Sequence, residues 1–453
     1  MDQSRVKLSP ASSARPMRAI FLGLSSFQAL AMFRRGIFYT FLAVYLRANL
    51  GLSVTETTLF ETIPMVLNVL FQTLVWGRLT DRLQKRRSLI VSGEILAGIG
   101  HLAMWFLHAR MPDGRQAGWV IIATLSVIEI FWSMSNIGWS AYIADVYEPR
   151  ERNAIQGRLA AIGGVGRILG AVLGGLLYDG LKLMYPGWGF RSGAIFFVAA
   201  GVMFISVIPL LFMPEGGVKK ASADMDSSLA AGLKASQNPA TALRPGQLKL
   251  FVIFLAAMLL INSGVNSVGA FRGQFMDLAE GFATSPSLIA LACNVESLAI
   301  IVFGLLAGML GSWLGVRKLL VAGALSGFVS LALHAAAPSL AWVFAAAAFK
   351  GAADASIGAS SYAFAASLIP PEKRGRWFAA YNATFFLSWG ISASFVTGPL
   401  IDGLIRRGTG QAAAYRAGFV SAAILVVLGL GLLVALLRTR KSLDPGMKRQ
   451  GDN

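Results

Sequence analysis

The sequence predicts an all-α polytopic membrane protein: twelve transmembrane helices in two pseudo-symmetric six-helix bundles. Three observations carry that expectation. The 453 residues are 55% hydrophobic and only 14% charged, with a mean hydropathy of +0.63, too apolar for a soluble globule of this length. Twelve runs are long enough to cross a hydrocarbon core, which takes roughly 20 apolar residues per helix. A polar stretch rich in Ser, Ala, Gly and Pro, residues 214–246, divides six runs from six and reads as a linker between a first unit, 1–213, and a second, 247–453.

The twelve runs lie near 18–45, 55–77, 88–108, 117–146, 154–178, 190–213, 247–275, 285–310, 318–337, 339–369, 376–402 and 415–437. The first is too long for a signal-peptide core and carries Arg34 and Arg35 at its centre, so it reads as a retained span. The loops fix the orientation. Of the 40 Lys and Arg, 27 sit at the two ends and on one set of alternate loops and 8 on the other set, the remaining five lying inside spans. That asymmetry predicts both termini in the cytoplasm and a location in the cell (inner) membrane. It also assigns the net charge of +18 to topology and anionic lipid headgroups, and no nucleic-acid partner is expected. Cys293 is the only cysteine, so no disulfide forms within the chain. His101, His108 and His334 lack metal-ligand spacing, and neither metal nor cofactor is expected.

The halves echo one another. "YIADVYEPRERNAIQGR" from Tyr142 and "AASLIPPEKRGRW" from Ala365 pair Pro149 with Pro371 and Arg152 with Arg374, while "GGLLYDGL" and "GPLIDGL" pair Asp179 with Asp402. Internal similarity of this kind marks repeat-built transporters, whose site lies near the midplane between the repeats. The loop "GRLTDRLQKRRSL" from Gly77 then places Gly77, Leu79, Asp81, Arg82 and the run Lys85, Arg86, Arg87 in order. It resembles the signature of the major facilitator superfamily, with Gln84 where the family usually has a second glycine, and the resemblance covers nearly the whole chain. "GMLGSWLGVRKLL" from Gly308 is its weaker counterpart, with Ser312 in place of the Asp. The fifth span, "GRLAAIGGVGRILGAVLGG", is similar to the antiporter motif of that superfamily in its glycines, with Ala171 at the family's proline. The same glycines, four apart, also suit close helix packing in lipid. The arginine frequent in the family's fourth helix is absent, and Glu129 stands in that span instead.

Ten ionisable residues fall well inside spans: Arg34, Arg35, Arg167, Arg272 and Lys350 against Glu61, Glu94, Glu129, Glu296 and Asp354. Charge in a bilayer core is costly, so each is a functional candidate. Helical spacing aligns Gln28, Arg35 and Tyr39 on the first span, Glu61, Asn68 and Gln72 on the second, Glu129, Ser133, Asn136 and Ser140 on the fourth, and Lys350, Asp354 and Ser361 on the tenth. The resemblance implies that the first, fourth, seventh and tenth spans surround a central cavity. Arg35 is expected to point into it and Arg34 toward a neighbouring helix. "FRGQF" around Arg272 echoes "RRGIF" around Arg35, and two facing guanidinium forks would suit a carboxylate or phosphate, unless Glu61 and Glu296 neutralise them. The expected substrate site is therefore Arg35, Arg272, Gln28, Tyr39, Asn136 and Lys350. Glu129, Asp354 and Glu61 are the candidates for proton coupling, with a Lys350–Asp354 structural pair as the alternative for that pair. Trp132, Trp139, Phe131 and Trp389 read as packing and interface residues.

The resemblance also implies a gate at Gly77, Asp81, Arg82 and Arg86, in which Asp81 would accept hydrogen bonds at the N-terminus of the eleventh span, near Gly375, and hold the cytoplasmic side shut. No phosphate-cradling glycine loop occurs, and no nucleophile, His and acid fall together, so an enzyme is not expected. The sequence thus points to a monomeric secondary transporter that moves a small organic anion or amphipathic metabolite with protons. A drug/proton antiporter and a non-transporting receptor on the same scaffold stand as alternatives.

Overall fold

In a computed structural model, residues 10–147, 149–216, 247–369 and 374–443 are described. Their architecture is helical, with no strand among the described residues. Helices α1 (Pro10–Val44), α2 (Val54–Phe71), α3 (Arg86–His108), α4 (Gly114–Val146), α5 (Pro149–Tyr178) and α6 (Ala194–Leu211) form the first bundle. The second contains α7 (Gln247–Asp277), α8 (Pro286–Leu314), α9 (Val316–Ala336), α10 (Leu340–Leu368), α11 (Arg374–Leu387) and α12 (Gln411–Leu443). Two rods continue past these limits: α2 runs through a π-helical turn into a short helix, Gly77–Leu83, and α11 resumes after a break as Gly398–Arg406.

Local chemistry sets the boundaries. Ser53 and Glu56 make a capping box at the start of α2, and the Asp113 carboxylate accepts from the Gln116 N–H at 3.0 Å to start α4. Gly315, at φ +79°, turns the chain from α8 directly into α9. Eleven helices among the described residues are long and apolar enough to cross a membrane. The eleventh expected span is the exception, because it is not one rod. Its π-helical turn at Ala393–Thr397 immediately precedes Gly398 and Pro399, and Pro399 lacks an N–H and crowds the carbonyl four residues earlier, which is where a straight α-ladder fails.

Packing repeats with a six-helix offset. Contacts α1–α6, α2–α4, α3–α4 and α3–α6 have the counterparts α7–α12, α8–α10, α9–α10 and α9–α12. Within the first bundle, Gly166 and Gly170 of α5 lie on the α1 backbone: a Cβ on Gly166 would run into the Ala29 carbonyl and one on Gly170 into the Phe33 carbonyl. Backbone-to-backbone approach therefore accounts for those glycines. The bundles meet along three seams, α5–α8, α2–α11 and α1–α7. Of the two ends of the helix array, the one bearing Lys85 and the start of α3 is the basic face and the other is the opposite face.

The first residues of the expected linker are packed. Glu215 pairs with Arg87 at 3.1 Å and accepts from the Ser88 N–H at 2.8 Å, while Tyr142 donates to the Pro214 carbonyl at 3.1 Å. Linker residues 217–246, both chain ends, Pro371 and the side chains of Asp81, Arg152 and Arg374 lie outside the described residues.

A charged cavity in the first bundle

α1 positions Gln28, Arg34, Arg35 and Tyr39, and the two arginines separate as their 100° rotation about a helix axis requires. Arg34 is buried (2% exposed), with its guanidinium 5.5 Å from the centre of the Trp132 ring. Arg35 borders a cavity of about 200 Å³ whose walls include Gln28, Met32, Glu94, Trp132, Asn136 and Trp139. Three rings surround its guanidinium: Trp389 at 5.3 Å, and Tyr39 and Trp132 at 5.8 Å each. Among the described residues no hydrogen-bond acceptor or carboxylate is paired with it. Gln28, Arg35 and Asn136 thus share one cavity, with Tyr39 against Arg35.

Arg272 and Lys350 are placed differently. Arg272 does not stand as a bare fork opposite Arg35. Only 4% exposed, it is 2.7 Å from Glu296 of α8, and its other nitrogen lies 3.2 Å from the Cys293 sulfur. Arg167 reaches the same Glu296 across the α5–α8 seam at 3.2 Å. Lys350 donates to both oxygens of Asp354, at 2.8 and 2.6 Å, one turn along α10. Gly351 lets this part of α10 lie directly on the Glu296 carbonyl.

The carboxylates differ in how far their bonds are committed. Glu129 is 2% exposed and accepts from Asn68 at 2.7 Å, so the polar stripe of α2 turns partly toward α4. Glu94 accepts from Ser135 at 2.9 Å. Glu61 faces Gly269 of α7, where an added Cβ would stand 3.9 Å from its Oε1. Its Oε2 is buried and has no hydrogen-bond partner, and the charges of Arg35 and Lys350 reach it. Arg34, Arg35, Glu94 and Glu129 balance. Arg167, Arg272, Lys350, Glu296 and Asp354 leave one positive charge, which Glu61 offsets.

Hydrogen bonds join the bundles from mid-depth to the opposite face. Asp402, at the end of the α11 rod, accepts from the Val54 and Thr55 N–H groups at 3.0 and 2.8 Å and from the Thr55 hydroxyl at 2.6 Å. Ser394 bonds Thr58 and Thr62, and Gln274 donates to Thr57 at 3.0 Å. Neither the Asp402 cap nor the uncommitted Glu61 oxygen can be read from helical spacing. The repeat pairing of Asp402 with Asp179 was the only sequence signal for the former.

At the expected gate, Gly77 opens the short helix after α2 and Arg82 is exposed. Arg86 is 5% exposed and donates to the Thr80 carbonyl and to Gln84. Gln84 has φ +52°, the left-handed conformation that favours glycine, at the position where the resemblance leads one to expect that residue. Among the described residues no cluster of three or more His, Cys, Asp or Glu could hold a metal ion.

The family model described as Major Facilitator Superfamily matches residues 24–276 and 266–452. Multidrug resistance protein 2 of Bacillus subtilis (strain 168) is 23% identical over 271 residues, covering 56% of this chain and 58% of that protein. The chain therefore matches less than two thirds of that relative's length. A mutant of the nucleoside transporter NupG superposes with a TM-score of 0.69 at 16% identity, over 92% of this chain and 99% of the other. The D-xylose-proton symporter gives 0.68 at 15%, over 91% and 97%. At these identities the two structures attest the fold.

Proposed function

The chain belongs to the Major Facilitator Superfamily, a family of membrane transporters, and we propose that it is a secondary active transporter for a small organic anion or amphipathic metabolite. In this reading it works by alternating access and is coupled to protons. The observation that carries the proposal is Arg35, a permanent cation on a cavity lined by the first bundle, with Trp389 of the second bundle against it and its donors spent on no protein acceptor among the described residues. Such a group binds an anion at little cost, because the protein has already desolvated it without pairing it.

Glu61 is the carboxylate best suited to carry the proton among Glu61, Glu129 and Asp354. Protonating it removes a negative charge that both Arg35 and Lys350 feel, so the site gains a positive charge as the anion arrives. Binding of anion and proton would then favour each other, as linkage requires. Gln28, Tyr39 and Asn136 complete the pocket around Arg35, while Arg272 and Lys350 set its potential from their ion pairs. The basic face is read as cytoplasmic, with both ends inside the inner membrane, and the monomer as the working unit. The gate at Gly77, Asp81, Arg82 and Arg86 would close that face when the bundles rock.

The test uses proteoliposomes of the purified chain, with internal pH read as organic anions are added outside. Anion-dependent internal acidification that is lost in Arg35→Gln supports the reading. Anion binding without any flux would instead favour a receptor. A second reading, drug/proton antiport, has the Bacillus relative in its favour. Part of its other support, Gly166, Gly170 and Gly174 of α5, is accounted for by contact with α1. Efflux of cationic dyes in the same vesicles would establish it.

A further inference from the structure

We infer that the groove between α9 and α12 binds one anionic phospholipid, with an acyl chain in the groove and the phosphate at Arg416. The inference stands apart from what the chain transports. The groove has a volume of about 290 Å³ and no polar group in its walls: Phe328, Ala332 and Ala335 line it from α9, and residues from Val420 and Ala423 to Leu428 line it from α12. The repeat-equivalent seam, α3–α6, is filled by its own rings. There Trp105 packs on Phe197 with ring centres 4.8 Å apart, and the Phe204 ring comes within 2.8 Å of where a Gly98 Cβ would stand. Alanine at 332, 335 and 423 leaves the α9–α12 seam without such a filling.

The length of the groove suits one leaflet. From Val420 to Leu428 it follows α12 for about 12 Å, at about 1.5 Å per residue, against roughly 15 Å for half of a hydrocarbon core of about 30 Å. It also starts at the right depth. Trp342, exposed in the first turn of α10, marks the membrane interface on the opposite face, and the α9–α10 loop that precedes it carries Ala337.

The Ala337 carbonyl accepts from Arg416 at 2.8 Å. Arg416 is exposed and stands one turn before Val420 on the same face of α12, while Ala337 lies two residues past Ala335. The bond therefore spans the outer end of the groove and fixes a cation there. It uses one guanidinium nitrogen, and among the described residues no carboxylate is paired with Arg416. Glu280, the acid at the start of α12, accepts instead from the Gln411 N–H at 2.9 Å. An arginine held by one nitrogen keeps its other donors for a phosphate. An apolar groove one leaflet long, with a cation at headgroup level, matches a lipid whose phosphate brings no ammonium of its own.

The experiment is native mass spectrometry of the full chain in detergent, titrated with phosphatidylglycerol or phosphatidylcholine of identical acyl chains, with the melting temperature read in parallel. One phosphatidylglycerol is expected to bind about tenfold more tightly than phosphatidylcholine and to raise the melting temperature, because a ligand of the folded state stabilises it by mass action. Arg416→Gln should bring the affinity ratio toward one, and Arg416→Lys should keep most of it. Ala332→Phe, which fills the groove as rings fill α3–α6, should weaken both lipids by about fivefold or more. Glycerol 3-phosphate, the headgroup anion without a chain, should not compete. Equal binding of the two lipids by the unaltered chain overturns the inference, as does a preference that survives Arg416→Gln. Binding indifferent to Ala332→Phe, or competition by glycerol 3-phosphate, does the same. A dimer that sheds the lipid would put a second copy of the chain in the groove and also overturn it.

Discussion

Two of the seams between the bundles, α2–α11 and α5–α8, are built from equivalent helices of the repeat, yet they hold by different means. Along α2–α11 the bundles are joined by a carboxylate on a helix start: Asp402 takes both the Val54 and the Thr55 N–H groups. Along α5–α8 the tie is an ion pair at mid-depth, Arg167 to Glu296 at 3.2 Å. Asp179, the repeat counterpart of Asp402, does not cross its seam; it accepts from the Lys182 N–H of its own loop at 3.0 Å. The cause is local. α2 begins Val54-Thr55, whose N–H groups are free to be capped from outside the helix, whereas α8 begins with Pro286, which has no N–H to offer.

Both ties can be broken without orphaning a buried charge, which is what a rocking machine needs. When Asp402 leaves α2 it is already at the end of its rod, close to water. When Arg167 leaves Glu296, the shorter pair to Arg272, inside the second bundle, keeps Glu296 neutral at 2.7 Å. Arg167 is also the more exposed partner, at 30% of its side chain against 5% for Arg272. The arrangement divides labour: Arg272 holds the charge for stability, and Arg167 and Asp402 hold the bundles together reversibly.

That division is broken most severely at Glu296. Glu296→Gln takes its counter-charge from the buried Arg272, and removing one partner of a buried pair costs about 3–5 kcal/mol. We expect a large drop in the melting temperature of the detergent-solubilised protein, or none of it recovered as a monodisperse species. Adding Arg272→Gln should return part of the loss, and Arg167→Gln alone should lower stability far less. Equal effects of Arg167→Gln and Arg272→Gln would erase the distinction between a structural and a reversible partner.

Next comes Asp402→Ala, which acts on the conformational balance more than on folding. Losing a cap of this kind is worth about 0.5–2 kcal/mol, and one to two kcal/mol is a factor of about 5–30 in an equilibrium. Spin labels on Arg110 and Arg407, exposed loop residues at the opposite face of the first and second bundles, should report a new population of longer distances. An unchanged distance distribution would mean that the cap does not hold that face closed.

How much of this was legible beforehand depends on what each feature rests on. Hydropathy showed the spans because each rod must be apolar by itself, and it failed at α11 because composition does not register a break made by Pro399 and a π-helical turn. Spacing placed Arg35 with Gln28 and set Arg34 apart, since both are properties of one helix. It did not separate Arg272 from Arg35, because the two share the same local sequence and differ only in a neighbour, Glu296, 24 residues away in the chain. Trp389 reads as a packing and interface residue, and spacing could not name its partner, Arg35, because that lies in the other half.

The smallest effect, and the sharpest test of the contrast, is at Asp179. Its bond to the Lys182 N–H closes a tight turn in which Leu181 and Lys182 have φ of +59° and +65°, so Asp179→Ala should cost about 0.5–1.5 kcal/mol, the worth of one ordinary hydrogen bond. Because that bond stays within the first bundle, the Arg110–Arg407 distances should not move, even though the substitution is the repeat equivalent of one at Asp402. A shift as large as that of Asp402→Ala would mean that the α5–α8 seam is also held at its outer end through this loop. Pro286 could then not be the reason that the two seams differ.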